Sequence, residues 1–304
     1  MDALTSLPTL SINLSVALIC GLIFTGVFAG ILGALMGVGG GIIVVPILVL
    51  AFGFDIKVAV VSSLFAVVAS STAAGSVYVG KGLANMRLGM WLEVATTLGG
   101  IAGGLVAVFV SSHLITMIFS FLMMIIAFLV FRAKDKTKTV KFDGTEDSKT
   151  VMIESQEDAH SLSGSYYDVS SRSTIHYQVE RSFLGSIISF FAGMLSGLLG
   201  VGGGFIKVPA MHLGMNVPIK VATATSNFMI GVTAISSLFV YFMKGMVYPL
   251  VAAPVAIGVV GGALYGTTLA QKISAALMKK VFAILLVLVA VQMLLSAMGV
   301  KFGQ

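Results

Sequence analysis

The stretch Gly30-Ile-Leu-Gly-Ala-Leu-Met-Gly-Val-Gly-Gly-Gly-Ile-Ile-Val-Val-Pro46 returns as Gly193-Met-Leu-Ser-Gly-Leu-Leu-Gly-Val-Gly-Gly-Gly-Phe-Ile-Lys-Val-Pro209, at an offset of 163 residues (193 minus 30). Each copy passes from an apolar run into clustered glycines and then a proline, so each breaks an apolar helix at an equivalent place. In lipid such a break frees backbone N–H and C=O groups that no water satisfies, and it is tolerated where those groups are buried in protein or line a cavity. A matched pair of breaks in two halves of one chain points to a transport site.

The match continues at the same offset. Ile56-Lys57-Val58-Ala59 falls on Ile219-Lys220-Val221-Ala222, Ser63 on Ser226, Val77-Tyr78 on Val240-Tyr241, and Lys81-Gly82 on Lys244-Gly245. Gly99 and Gly103 fall on Gly262 and Gly266. Duplication of a unit of roughly 110 residues is the simplest account.

Composition places this unit in a bilayer. Hydrophobic residues make up 58% of the chain and charged residues 10%, with a mean hydropathy of +1.06. A soluble domain carries about a quarter of charged residues. The net charge of +6 does not argue for nucleic acid, because the basic residues lie at segment ends and in one linker. Cys20 is the single cysteine, which rules out an intrachain disulfide and a thiolate cluster. No Lys or Arg precedes Lys57, the wrong charge pattern for a cleaved leader, so the first apolar segment is expected to be retained.

The expected fold is all-α: a polytopic membrane helical bundle of two inverted repeats, each of about five apolar segments with one short broken or re-entrant helix. The segments lie near 12–36, 40–53, 58–79, 88–110 and 114–131 in the first half, and near 182–199, 204–215, 219–242, 246–270 and 275–298 in the second. Stretches of about 18 residues or more cross the hydrocarbon, and the second of each unit is at the short end. Pro46 and Pro209 suit the first turn of those short helices. Residues 1–132 form the first repeat, 133–181 a linker and 182–304 the second.

Charge tests the inversion at positions where the halves differ. With the basic cluster at 132–141 cytoplasmic, an odd number of crossings per unit puts Arg87, Lys272, Lys279 and Lys280 inside, whereas four crossings push the three lysines outside. The N-terminus is then outside and the linker cytoplasmic. Five and three crossings fit the charges equally. The linker is polar, basic and then acidic, and reads as mostly flexible. Near its end, alternation in Ser165-Tyr-Tyr-Asp-Val169 and Ile175-His-Tyr-Gln-Val179 suits a small hairpin.

Three groups of residues carry candidate chemistry. Gly37, Gly39, Gly40 and Gly41, with Gly200, Gly202, Gly203 and Gly204, precede the two short helices, where free N–H groups and a helix dipole can face an oxyanion. Tight packing is the bland account, since Gly26-xxx-Gly30 serves that purpose elsewhere; the identical repeat with its proline favours a site. Ser62 and Ser63, with Thr223, Thr225, Ser226 and Asn227, offer neutral donors near the start of the third segment of each half, or else cap and back-bond. Lys207, where the first half has Val44, and Glu93 are ionisable groups within apolar segments, which makes them functional candidates for anion attraction or coupling. Pairing with a neighbouring charge and snorkelling are the structural alternatives. Histidines and acids are too few for a metal site, no Ser/His/Asp set suggests an enzyme, and no cofactor is implied.

Gly-x-Gly-Gly-Gly-x-x-x-x-Pro in two copies, the following Lys-x-Ala-x-x-Ser/Thr-Ser and the Lys-Gly loop together resemble the TauE/SafE family, the sulfite exporter group of membrane permeases. The resemblance covers both membrane halves. It implies secondary transport of a small sulfur oxyanion or organosulfonate across the cytoplasmic membrane, with the bilayer and a small anionic substrate as partners and no nucleic acid. The family motifs fall on Gly37, Gly39, Gly40, Gly41 and Pro46, on Gly200, Gly202, Gly203, Gly204 and Pro209, and on Ser226. An anion channel and a non-transporting sensor or scaffold acting through the linker are the alternative readings.

Overall fold

The computed structural model describes residues 16–37, 39–132, 162–168, 173–269, 284 and 286–295. The first half contains α1 (Val16–Met36), α2 (Gly41–Leu50), α3 (Ile56–Gly80), α4 (Met86–Phe109) and α5 (Ser112–Arg132). The second contains α6 (Ser182–Leu199), α7 (Gly204–Pro209) continued by a π-turn (Ala210–Gly214), α8 (Ile219–Met243), α9 (Pro249–Leu269) and α10 (Leu286–Leu295). Between them, β1 (Gly164–Asp168) and β2 (Ser173–Tyr177) pair antiparallel, Tyr166 opposite Ile175. Six of the described helices are long and apolar enough to span a membrane. The molecule is an all-α, multi-pass membrane bundle with almost no sheet. Lys272, Lys279 and Lys280 lie outside the described residues, as does most of the linker.

The duplication is written into the backbone. Helix starts repeat at the same offset: Gly41 and Gly204, Ile56 and Ile219, Met86 and Pro249. So do the residues with positive φ: Gly37 at 68° and Gly200 at 71°, Gly39 at 74° and Gly202 at 78°, Gly40 at 43° and Gly203 at 71°. Even Gly53, at 68°, is matched by Asn216 at 58°, asparagine being among the few L-residues that tolerate this region. The glycines of the breaks are therefore required by conformation. A Cβ there is strained regardless of the space around it.

The long helices pack through small residues, as expected where lipid is as apolar as any side chain and close backbone approach supplies the attraction. Gly26 and Gly30 of α1 lie on Val255, Val259 and Ala263 of α9, and Gly258, Gly262 and Gly266 return the contact onto Ile23, Val27 and Ile31. Gly99 and Gly103 of α4 lie on Phe190 and Met194 of α6, with Gly193 and Gly197 reciprocating against Thr96 and Gly100. The two interfaces exchange equivalent helices, α1 with α9 and α6 with α4.

Contacts along α8 fix relative direction. Gly89, Gly100 and Gly104 of α4 meet Thr225, Thr233 and Val240 in turn, so α4 and α8 run the same way. The short connection at 81–85 makes α3 run opposite to α4, and hence opposite to α8, its own counterpart. Ser71 accordingly donates to Asn227 O, and Gly75 lies against Asn227 and Phe228.

Pro46 and Pro209 are each the sixth residue of their helix, beyond the first turn expected from the sequence. At that position the missing N–H leaves the carbonyl four residues earlier, at Ile42 or Phe205, without its helical donor. In the second half the chain leaves α geometry immediately after Pro209 and enters the π-turn. At about 1.5 Å per residue, the ten residues of α2 span about half of a hydrocarbon core of about 30 Å.

Candidate functional site

The two breaks meet where α3 crosses α8. Gly37 lies against Thr223 and the Asn227 side-chain amide, Gly39 against Ile230 and Val67, and Gly41 against the carbonyl of Gly200 in the other half. Gly200 in turn contacts Ser63, whose hydroxyl donates to Gly200 O at 2.8 Å and lies 2.7 Å from Val60 O. Gly203 packs on Ala192 and Ser196. Gly40, Gly202 and Gly204 are buried beside them. Of the residues singled out from the sequence, the eight glycines, Ser63 and Asn227 thus form one contiguous buried centre. Asn227 Nδ2 also donates to Thr223 O at 3.1 Å, which holds its amide on the inner face of α8.

Hydroxyls of the bundle divide into two kinds. Many bond back to the preceding turn: Thr25 to Gly21, Ser70 to Val67, Ser120 to Thr116 and Ser186 to Ser182. That is the default for a helical serine or threonine in an apolar setting. Ser62, Ser196 and Ser226 are fully buried, and their hydroxyls have no hydrogen-bond partner among the described residues. A buried hydroxyl without a partner costs about 1–3 kcal/mol. Ser226 sits at the position where Ser63 makes its bond to the opposite break, so the same residue is engaged in one half and unengaged in the other. Thr225, next in line, accepts from the Asn85 backbone N–H at 2.9 Å.

The ionisable candidates lie to one side of the glycines. Lys207 is buried and does not reach the surface; its Nζ donates to Thr233 Oγ1 at 2.8 Å. Thr233 donates to Glu93 Oε1 at 2.7 Å, and Glu93 Oε2 lies 3.8 Å from Lys207 Nζ. Glu93 also lines, with Met90, Val94, Thr97, Leu98, Phe228 and Val232, an open apolar recess of about 460 Å³ that includes no glycine of either break. Arg87 lies exposed at the start of α4.

Sequence reading missed three participants. Ser196 differs from its counterpart Gly33 within the repeat itself, which was a readable signal. Thr233 lies on α8 six residues beyond Asn227, about one and two-thirds turns, so it turns towards Glu93 and Lys207 and away from the Asn227 face. Asn85 caps α4 through Leu88 N at 3.0 Å and joins three elements: its Nδ2 donates to Leu162 O at 2.8 Å and to Tyr177 Oη at 2.9 Å, while its backbone holds Thr225. The hairpin is thereby seated on the bundle, with Tyr166, Ile175 and Tyr177 packed around Leu88, Met211, Met215 and Val221. Burial pushes the Tyr177 phenol up, opposed by its bond from Asn85. His212 is spent on Val217 O at 2.9 Å. No cluster of three or more metal-ligating side chains occurs among the described residues.

Comparison with known proteins agrees with this architecture. The chain is similar to the probable membrane transporter protein YunE of Bacillus subtilis (strain 168), at 27% identity over 265 residues, covering 85% of this chain and 90% of the relative. It is similar to a probable membrane transporter protein of Xylella fastidiosa (strain 9a5c), at 23% identity over 258 residues, 84% of this chain and 87% of the relative. A shorter match, 40% identical over 60 residues, 20% of this chain and 14% of the relative, is to the sulfite exporter TauE/SafE family protein 6 of Arabidopsis thaliana. No solved structure matches the chain. The family model for the sulfite exporter TauE/SafE matches residues 22–293, which takes in both glycine breaks and every long helix but the start of the first, and the chain belongs to that family.

Proposed function

We propose that the protein is a secondary transporter that moves a small sulfur-containing anion, such as sulfite, thiosulfate or an organosulfonate, across the cell membrane by alternating access. The observation that carries the reading is the convergence of two equivalent breaks on the α3–α8 crossing, together with fully buried hydroxyls without partners on Ser62 of α3, on Ser226 of α8 and on Ser196, which lies against Gly203. Donors held ready without a fixed charge suit an anion that must be bound and then released. The names of the relatives, probable membrane transporters and a sulfite exporter family protein, support the class of substrate and activity.

In this reading residues 1–132 and 182–304 are repeats of opposite orientation, supported by the opposed directions of α3 and α8. The N-terminus is outside and the 133–181 linker cytoplasmic, as the basic cluster at 132–141 favours. The centre is closed in the present conformation, Gly39 being covered by Ile230 and Val67. Rocking one half against the other across the α3–α8 crossing uncovers it to each side in turn. The test is flux in proteoliposomes with radiolabelled sulfite, thiosulfate, sulfoacetate and sulfate. Saturable uptake of at least one, with counterflow, is expected. Flux that neither saturates nor shows counterflow identifies a channel, and no flux of any of the four rejects the reading.

A further inference from the structure

The Lys207–Thr233–Glu93 relay has no counterpart in the other half. The equivalent positions, at the offset of 163, are Val44, Ser70 and Ala256, and Ser70 simply donates to Val67 O at 3.1 Å. At the matching positions the duplicated unit thus carries apolar or self-satisfied residues, and the glycine break and the helix after it form there without the charges. A buried ion pair is weak evidence for stability, because apolar residues of similar volume commonly do as well or better. Here the pair also bridges the halves, since Glu93 stands on α4 and both Lys207 and Thr233 belong to the second repeat.

Glu93 has two faces. Oε1 accepts from Thr233 at 2.7 Å and lies 3.4 Å from the Thr97 hydroxyl; Oε2 has no hydrogen bond and faces Lys207 at 3.8 Å. Glu93 also contributes to the lining of the open, apolar recess of about 460 Å³, whose other residues Met90, Val94 and Leu98 are exposed on the outer surface of α4. The recess begins one turn into α4, beside the exposed Trp91, a residue type that favours the membrane–water interface. Among the described residues Lys207 is the charged group that faces Glu93. Arg87 is exposed at the head of α4, α6 carries no titratable side chain, Lys220 and Lys244 bracket α8, and Tyr241 donates to Gly197 O.

We propose that Glu93 carries the coupling proton, exchanged against its pairing with Lys207 across the two halves. A proton taken up by the carboxylate neutralises it and releases Lys207, which weakens the tie between the halves and permits them to rock. Loss of that proton on the other side restores the pair. Each proton carried with the anion cancels one negative charge, which allows uptake against an inside-negative potential. The proposal rests on the transporter reading above and adds its driving ion.

The experiment uses the full chain in proteoliposomes, with thiosulfate and sulfoacetate as probes because both stay ionised across the pH range. Wild-type protein is expected to accumulate at least one probe when the outside is made acid. Replacing Glu93 alone leaves Lys207 buried and unpaired, so the working variant is the double substitution Glu93→Gln with Lys207→Met. It is expected to retain counterflow exchange and to lose the accumulation driven by the pH gradient. Dicyclohexylcarbodiimide, an apolar reagent for protonated carboxyls in membranes, is expected to modify Glu93 in wild type, more at acid than at alkaline pH, as read by peptide mass spectrometry. Gradient-driven accumulation by the double variant equal to wild type overturns the proposal, as does equal loss of exchange and accumulation, which marks a structural role. Wild-type exchange that ignores the pH gradient overturns the coupling alone, whereas absence of any wild-type flux removes the transporter reading and the coupling together.

Discussion

Ser63 and Ser226 occupy one position of a duplicated sequence and meet different fates. Ser63 is bonded across the halves to Gly200 O, so Ser63→Ala removes a buried bond and leaves a carbonyl short of its donor. A loss of about 1–2 kcal/mol is expected, read as a lower melting temperature in detergent. The Lys207–Glu93 pair predicts non-additivity. Lys207→Met alone leaves a buried carboxylate facing an apolar neighbour and is expected to cost about 3–5 kcal/mol, whereas adding Glu93→Gln recovers most of that loss. Equal melting temperatures for the single and double variants would contradict the pairing. Neither the pairing nor its partner was legible in the sequence. Glu93 and Lys207 stand out singly as charges in apolar segments, but nothing in a linear pattern says that a lysine three residues beyond one glycine run faces an acid on α4. The geometry that joins them is made by Gly99, Gly100 and Gly103, which bring α4 against α6 and α8.

At the level of elements, the breaks were readable because positive φ demands glycine and the duplication shows the demand twice. The placement of the prolines was not. A proline suits the first turn of a helix in isolation, but here five helical residues, Gly204 to Val208, precede Pro209, and a π-turn follows it. The α4–α6 interface depends on carbonyl oxygens approaching Gly99 and Gly103 directly. Gly103→Leu is therefore expected to separate the helices at a cost of at least about 1–3 kcal/mol, seen as loss of monodisperse protein on size exclusion, while Gly80→Leu, with open space around it, leaves the profile unchanged. The hairpin makes a milder prediction. Tyr177→Phe removes one bond to Asn85 and keeps the packed ring, for a loss of about 1 kcal/mol.

For the whole molecule the decisive property is orientation. Gly82 and Gly245 end equivalent helices with φ of 64° and 65°, and the lysine before each is exposed. If the halves are inverted repeats, as proposed, these lysines are expected on opposite sides of the membrane. In a background lacking Cys20, Lys81→Cys is expected to react with an impermeant maleimide only after the cells are opened, and Lys244→Cys in intact cells; reaction from the same side would contradict inverted repeats. Such an arrangement brings the two breaks together at the α3–α8 crossing.

The account stands or falls on the unpartnered hydroxyls serving a ligand in place of the fold. Ser226→Ala deletes an oxygen that bonds nothing in the closed protein, so the melting temperature should stay level or rise, while saturable anion flux in proteoliposomes should fall by about tenfold, the loss of one hydrogen bond to a charged ligand. Unchanged flux, or a drop in flux matched by a drop in melting temperature, would contradict it.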